Sequence, residues 1–110
     1  MELSTNKIQT YIGFAVRSNK YKKGIYSIKL LKSAGVVLVS RTAGKNTTKE
    51  ATLIASRLKC PLVYTVGVDL EEISHIQGCK IMAITDNNLA KGILDNLGKD
   101  FTLTTGGENK

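Results

Sequence analysis

The sequence predicts an α/β protein built as a three-layer α/β/α sandwich, with a central mixed sheet of about four strands. Short apolar runs alternate along the chain with longer stretches in which apolar residues recur at helical spacing, and this alternation is typical of a sheet covered by helices. The run Val36–Val39 is apolar and β-branched without a polar alternation. Such a strand is expected where helices bury both faces of the sheet.

The predicted helices each carry an apolar stripe and end near a glycine or a polar cap. Four helices carry a clear stripe: Ile8, Tyr11, Ile12 and Ala15; Ile25, Ile28 and Leu31; Ala51, Ile54, Ala55 and Leu58 in a helix over 47–59; and Ala90, Ile93, Leu94 and Leu97. A further short helix is predicted over 69–77. We expect Asp86 or Asn87 to cap the last helix and Gly35 to end the second in a left-handed conformation. Further strands are predicted over 62–66 and 80–85, and residues 20–23 are interpreted as a polar connection.

A chain of 110 residues has the size of one domain, predicted to span residues 1–103, with a flexible tail over 104–110. No apolar run approaches the roughly 18 residues that span a bilayer, and the N-terminus has no signal-peptide pattern, so we expect a cytoplasmic monomer without a membrane partner. Cys60 and Cys79 are too few and too far apart for a metal knuckle. They are predicted to be buried, reduced thiols.

Positive charge is concentrated in the first half of the chain. The net charge is +7, and residues 1–50 hold ten Lys and Arg against two acids, whereas residues 51–110 hold six against seven. A cationic surface of this kind favours a polyanionic partner, since each neutralised phosphate releases counterions.

The stretch AGKNTTKEA over 43–51 can be interpreted as a phosphate-binding loop or as the start of a helix. A phosphate-binding loop would need a glycine where Val39 stands and a hydroxyl residue where Asn46 stands, so that interpretation is rejected. The spacing of Thr47 and Glu50 instead predicts a capping box at a helix N-terminus. In that case the Asn46 amide is not needed as a cap and lies on a loop beside Lys45 and Lys49, where it could read a base edge.

The chain lacks a catalytic or metal-binding set. It has one histidine, His75, which lies near Glu71 and Glu72 without a second ligand at zinc spacing. No nucleophile, base and orienting residue can be combined from a single histidine. We therefore expect no catalytic residue, no metal, no cofactor and no small-molecule substrate.

These features resemble the kink-turn RNA-binding ribosomal proteins, the L-seven-Ae and L-thirty-e family, and especially its small bacterial paralogues. The likeness extends over residues 8–97 and its most specific part is the Gly44-Lys45-Asn46-Thr47 step. The other segments that carry it are Arg17-Ser18-Asn19-Lys20, Gly24, residues 36–40, Cys60-Pro61, residues 81–86 and Leu89-Ala90-Lys91. The resemblance implies an L-thirty-e-like fold.

The resemblance also implies a function and a site. Members of the family bind sharply bent RNA in which sheared G·A pairs display guanine edges, so Asn46 is expected to contact a guanine, with Lys45, Thr47 and Lys49 beside it. The loop after the next strand, Val66-Gly67-Val68-Asp69-Leu70, is implied as a second contact region. Gly44, Arg41 and Lys20 complete the predicted RNA-binding set. Its members are Lys20, Arg41, Gly44, Lys45, Asn46, Thr47, Lys49, Val66, Gly67 and Val68.

The expected function is thus non-catalytic binding of kink-turn or similarly bent RNA, in association with the ribosome. The acids Glu50, Glu71 and Glu72 motivate an alternative, a protein-interaction module of the same fold that has lost specific RNA binding. A third hypothesis is an accessory domain or small enzyme acting on RNA, because one fold can host unrelated functions.

Overall fold

Helices and strands alternate along the chain in the computed structural model, which describes residues 3–104 and the side chains of residues 7–104. The helices are α1 (Leu3–Arg17), α2 (Ile25–Lys29), α3 (Lys45–Leu58), α4 (Leu70–Ser74) and α5 (Asn87–Asp95). The strands are β1 (Tyr21–Lys23), β2 (Val36–Val39), β3 (Leu62–Thr65), β4 (Ile81–Ile84) and β5 (Phe101–Thr104).

The strands form one mixed sheet in the order β1-β4-β2-β3-β5. Strands β2 and β3 run parallel, with Val37 opposite Leu62, while β4 runs antiparallel to both β1 and β2 and β5 runs antiparallel to β3. All four residues of β2 are buried, which confirms the strand predicted to be covered on both faces.

The two faces of the sheet support two separate cores, and this confirms the three-layer α/β/α sandwich. Val36 and Leu38 face one side and Val37 and Val39 face the other, because successive residues of a strand alternate between faces. The first core contains Ile8, Ile12, Ala15, Leu70, Ile73, Ala90 and Ile93 from α1, α4 and α5. The second contains Ile28, Ala51, Ile54 and Ala55 from α2 and α3.

Five strands replace the expected four because the two edge strands have no clear sequence signal. The sequence pattern of β1 indicates a polar connection, since two of its three residues are Lys22 and Lys23. It forms by pairing with β4, and charged residues are common on such edges. Strand β5 was not expected; Thr104, assigned to the tail, is its last residue. The rest of the predicted tail lies outside the described residues.

The predicted capping box at Thr47 and Glu50 is wrong. Gly44 is the N-cap, with an extended backbone (φ −74°, ψ 170°), and α3 starts at Lys45, which places Thr47 inside the first turn. The hydroxyl of Thr48 donates to the Gly44 carbonyl at 3.1 Å. A capping box occurs instead at α4, where the Glu72 carboxylate accepts from the Asp69 amide at 3.3 Å.

At the other helix ends, the predicted cap of α5 is confirmed and the predicted end of α2 is wrong. Asp86 caps α5 as predicted, with its Oδ1 accepting from the Leu89 amide at 2.9 Å. Gly24 opens α2 with φ 86°, a conformation that favours glycine. Gly35 is not a left-handed stop, because α2 ends earlier, at Lys29. Its role is close packing: a side chain there would collide with Ala90 of α5.

Both cysteines are buried, as expected from the sequence, and the sheet separates them from each other. Cys79 lies in the core beneath α1 and Cys60 in the core beneath α3, on opposite faces of the sheet. Burial raises the pKa of both thiols. Among the described residues, none of the helices has the length and apolar character needed to cross a bilayer.

Substitution Gly35→Ala is expected to destabilise the protein by about 1–3 kcal/mol, because the added methyl group has no space beside Ala90. The control Gly13→Ala lies within α1, where the new methyl group would meet only the flexible end of Arg17 at 3.3 Å. That change should leave stability unaltered or raise it by up to about 1 kcal/mol. Urea unfolding of both variants measures the difference, and equal midpoints would contradict the assignment.

Neither cysteine should react with a disulfide-exchange reagent while the protein is folded, because both thiols are buried and their pKa is raised. Addition of denaturant should release both thiols together. Spectrophotometric thiol counting before and after unfolding is the measurement. Fast labelling of either cysteine in the native protein would show that the residues packed over it move apart.

Candidate nucleic-acid interface

One end of the sheet collects most of the residues predicted to bind RNA. Because β2 and β3 are parallel, their carboxyl ends meet at the same edge, and β4 begins there. Arg41 follows β2 after one residue, the loop 66–68 follows β3, and Gly44 leads from this edge into α3. The predicted contacts from the two loops and from the start of α3 are therefore brought together.

Lys20 lies at the other end of the sheet. It precedes Tyr21, which pairs with Ile84 at the carboxyl end of β4, and its Nζ lies 3.8 Å from the Asp86 carboxylate. The structure therefore places Lys20 at the opposite end of the sheet from the loop before α3, apart from the other predicted contact residues.

The start of α3 presents an amide between two cations. Lys45, Asn46 and Lys49 are exposed, whereas Thr47 is half-buried. No acidic residue stands in the first turn of α3, so the unpaired amides at the positive end of the helix are not neutralised there. The side-chain amide of Asn46 has no hydrogen-bond partner among the described residues. The sequence predicts this amide on a loop before the helix, whereas the structure places it in the first turn of α3, because the helix starts at Lys45.

Arg41 acts as a bridge between the two loops. Its Nε donates to Asp69 Oδ1 at 2.7 Å, and this hydrogen bond raises the pKa of the guanidinium. A second guanidinium nitrogen lies 3.4 Å from the Val66 carbonyl, and its backbone amide donates to the Thr65 hydroxyl at 2.9 Å. Arg41 thus fixes the loop after β3 relative to the end of β2, and its side chain remains about half exposed (48%).

The loop after β3 is held from its other side by the backbone before β5. The amides of Val66 and Gly67 both donate to the Asp100 carbonyl, at 2.8 and 3.2 Å. A side chain at position 67 would meet the Asp100 carboxylate and would have to displace it. Val66 itself is 47% exposed, which leaves an apolar side chain at the surface beside Arg41.

A network of polar side chains that was not predicted from the sequence positions the loop before α3. The buried hydroxyl of Ser40 accepts from the Leu70 amide at 3.1 Å and lies 3.0 Å from the Thr42 hydroxyl. Lys80 donates to Thr42 at 2.9 Å and to Glu71 at 3.0 Å. These contacts join the loop before α3 to α4 and to the start of β4. The only sign of this network in the sequence was the polar residue Ser40 directly after a buried strand.

The acids that argued against RNA binding all have internal partners. Glu71 accepts from Lys80 and from the Gly78 amide, at 3.0 and 2.7 Å, and these hydrogen bonds lower its pKa. Glu72 accepts from the Asp69 amide, and Glu50 lies 3.9 Å from Lys29 Nζ. Their charge is therefore partly compensated within the fold.

A groove of about 280 Å³ adjoins Asn46 between α2 and α3. The lining residues are Ile25, Tyr26, Lys29, Asn46, Thr47 and Glu50. Tyr26 is 85% exposed, an unusual degree for an aromatic side chain on a helix packed against the sheet. Sequence reasoning missed it, because a single tyrosine outside the apolar stripe carries no spacing signal.

The described residues include no group of three or more His, Cys, Asp or Glu that could hold a metal ion. His75 is exposed at the left-handed end of α4, with φ 60°, and its Nε2 lies 3.2 Å from Gln9 Nε2. In comparisons with known proteins, no family model matches the chain and no curated protein matches it either.

Replacement Glu71→Gln should destabilise the protein at neutral pH, because the carboxylate that holds Lys80 is lost. The pKa of Glu71 is lowered from its usual 4.5, so its stabilising effect is present above that pH and is lost as the pH falls through the folded-state value. The stability gap between wild type and variant should close on acidification, as measured by thermal unfolding at several pH values.

Asp95→Asn is the control, since Asp95 forms an exposed pair with Lys91 on α5. It should change stability by less than about 1 kcal/mol. If the difference in stability between wild type and Glu71→Gln became larger at acid pH, the stabilising role given to the ionised Glu71 carboxylate would be wrong.

Proposed function

We propose that the protein is a non-catalytic RNA-binding protein that recognises kink-turn or similarly bent RNA in association with the ribosome. The observation that carries the proposal is the free, exposed amide of Asn46 in the first turn of α3, between Lys45 and Lys49. The resemblance of this step to the kink-turn RNA-binding family supports the same conclusion.

The electrostatics of this end of the molecule suit a phosphate backbone. Lysine ammonium groups at the positive end of a helix attract phosphates, and an amide with two donors and an acceptor can pair with a base edge. The basic excess in residues 1–50 adds long-range attraction, to which Lys20, Lys22, Lys23 and Lys32 contribute. In this proposal phosphate contacts position the RNA and Asn46 reads a guanine.

The loop 66–68 supplies the second contact. It lies at the same end of the sheet as Asn46, and Arg41 and the Asp100 backbone hold it in place. A rigid, partly apolar loop beside a cationic helix start fits a bent RNA that exposes base faces as well as phosphates. Two contact regions held at a fixed separation would recognise the bend itself.

The internal partners of Glu50, Glu71 and Glu72 favour this proposal over the protein-interaction alternative that those acids motivated. Because each carboxylate already accepts from or pairs with a group of the protein, it opposes RNA less than an isolated acid would. The alternative predicts no salt-dependent RNA affinity. An enzymatic role on RNA would require turnover of an RNA substrate by the isolated protein. The monomeric state and the cytoplasmic location remain predictions.

Replacement Asn46→Ala should weaken binding to a kink-turn RNA by about 1–3 kcal/mol and reduce the preference over a straight duplex. Replacement of Lys49 by Gln should weaken binding to both RNAs and flatten the salt dependence. Gel-shift titrations at several salt concentrations give the affinities.

The chain offers a matched control in Asn88→Ala. Asn88 is also exposed and also occupies the second position of a helix, α5, but it lies at the other end of the sheet. Its loss should leave RNA binding unchanged. Equal binding by wild type and Asn46→Ala, or no preference of the wild type for the bent RNA, would overturn the proposal.

A further inference from the structure

We propose that the groove between α2 and α3 binds one unpaired nucleobase of the RNA, stacked on Tyr26. This inference rests on the proposed function and specifies its target: a bent RNA with an extruded nucleotide close to the guanine that Asn46 contacts. The groove is lined by Tyr26, Lys29 and Glu50 together with Asn46, so one surface would hold both nucleotides.

Tyr26 is presented on a rigid support. The positive φ of Gly24 turns the chain sharply from β1 into α2, and Ile28 anchors the helix in the core. Arg57 of α3 donates to the carbonyls of Lys29 and Leu31, at 2.9 and 3.1 Å, which fixes the end of α2 against α3. An aromatic ring that is 85% exposed on such a support is a stacking surface that needs little rearrangement.

The polar walls of the groove match the edges of a nucleobase. Glu50 offers carboxylate oxygens that accept from an exocyclic amino group, and the Asn46 amide lies on the same helix one turn earlier. Lys29 lies 3.9 Å from Glu50, a long ion pair between two partly exposed groups. An incoming nucleotide can therefore replace it, with the amino group on Glu50 and the phosphate on Lys29.

The groove combines an apolar surface, which suits the face of a nucleobase, with polar groups that suit its edge. Only Ile25 and Tyr26 among its lining residues are apolar, and the other four are charged or polar. Lys45 and Lys49 are exposed and are the sequence neighbours of the lining residues Asn46 and Glu50, and the exposed Lys22 and Lys23 precede the turn into α2. This charge complements a polyanion. Leu30, the C-terminal cap residue of α2, is 82% exposed and does not line the groove.

The test uses the full chain and a kink-turn RNA in which the fluorescent base 2-aminopurine replaces each unpaired nucleotide in turn. At one position, binding should quench the fluorescence, because the base stacks on Tyr26. Tyr26→Ala should remove that quenching and weaken binding by about fivefold to a hundredfold, whereas Tyr26→Phe should retain both. Glu50→Gln should reduce the preference for bases with an amino group over uracil at the same position.

Leu30→Ala is the matched control, since it removes a similarly exposed apolar side chain at the C-terminal cap of α2 without touching the groove. It should bind and quench as the wild type does. Circular dichroism of Tyr26→Ala confirms that the variant is folded, and Tyr26→Ser provides a second truncation.

The outcomes separate this inference from the function on which it rests. If Asn46→Ala weakens RNA binding while Tyr26→Ala and Tyr26→Ser bind and quench as the wild type does, the groove proposal is overturned and the proposed function stands. If the wild type shows no salt-dependent affinity for bent RNA, both are overturned. Equal loss in Leu30→Ala would indicate an apolar partner surface and would also overturn the nucleobase assignment.

Discussion

Burial of β2 on both faces imposes the constraint on which the rest of the structure depends. With Val36–Val39 covered by helices and paired on both sides, the chain has to leave the sheet at Ser40, at an edge where buried polar groups must find partners. The Ser40 hydroxyl accepts from the Leu70 amide, and the Ser40 amide donates to the Lys80 carbonyl at 2.9 Å. The path from Ser40 to Gly44, and with it the start of α3, follows from these bonds.

Charge compensation at this edge allows acids and a cationic surface to coexist. Arg41 pairs with Asp69, and Lys80 pairs with Glu71. These four charges therefore stabilise the loops and add no net negative charge that would repel an anion. Exposed pairs of this kind contribute little to global stability by themselves. Their value is positional: they connect the loops after β2 and β3, which hold the start of α3 and the apolar Val66 at one end of the sheet.

The helices and the buried strands were predictable because their signal is local. Apolar stripes at helical spacing marked α1, α3 and α5, and the β-branched run marked β2. The edge strands were not predictable, since β1 has two lysines and forms only by pairing with β4. The capping box at Thr47 failed for a related reason. Its spacing was right, but the extended backbone at Gly44 starts the helix three residues earlier.

The sequence by itself determined the layer architecture and the concentration of basic residues in the first half of the chain. Only the tertiary structure decided which of these residues act together. Strand direction separated Lys20 from the start of α3, and the packing of α2 on α3 placed Tyr26 beside Asn46. The physical reason is that periodicity and composition record how each segment buries its own apolar surface. Proximity between segments depends on strand order and helix packing, which no local pattern contains.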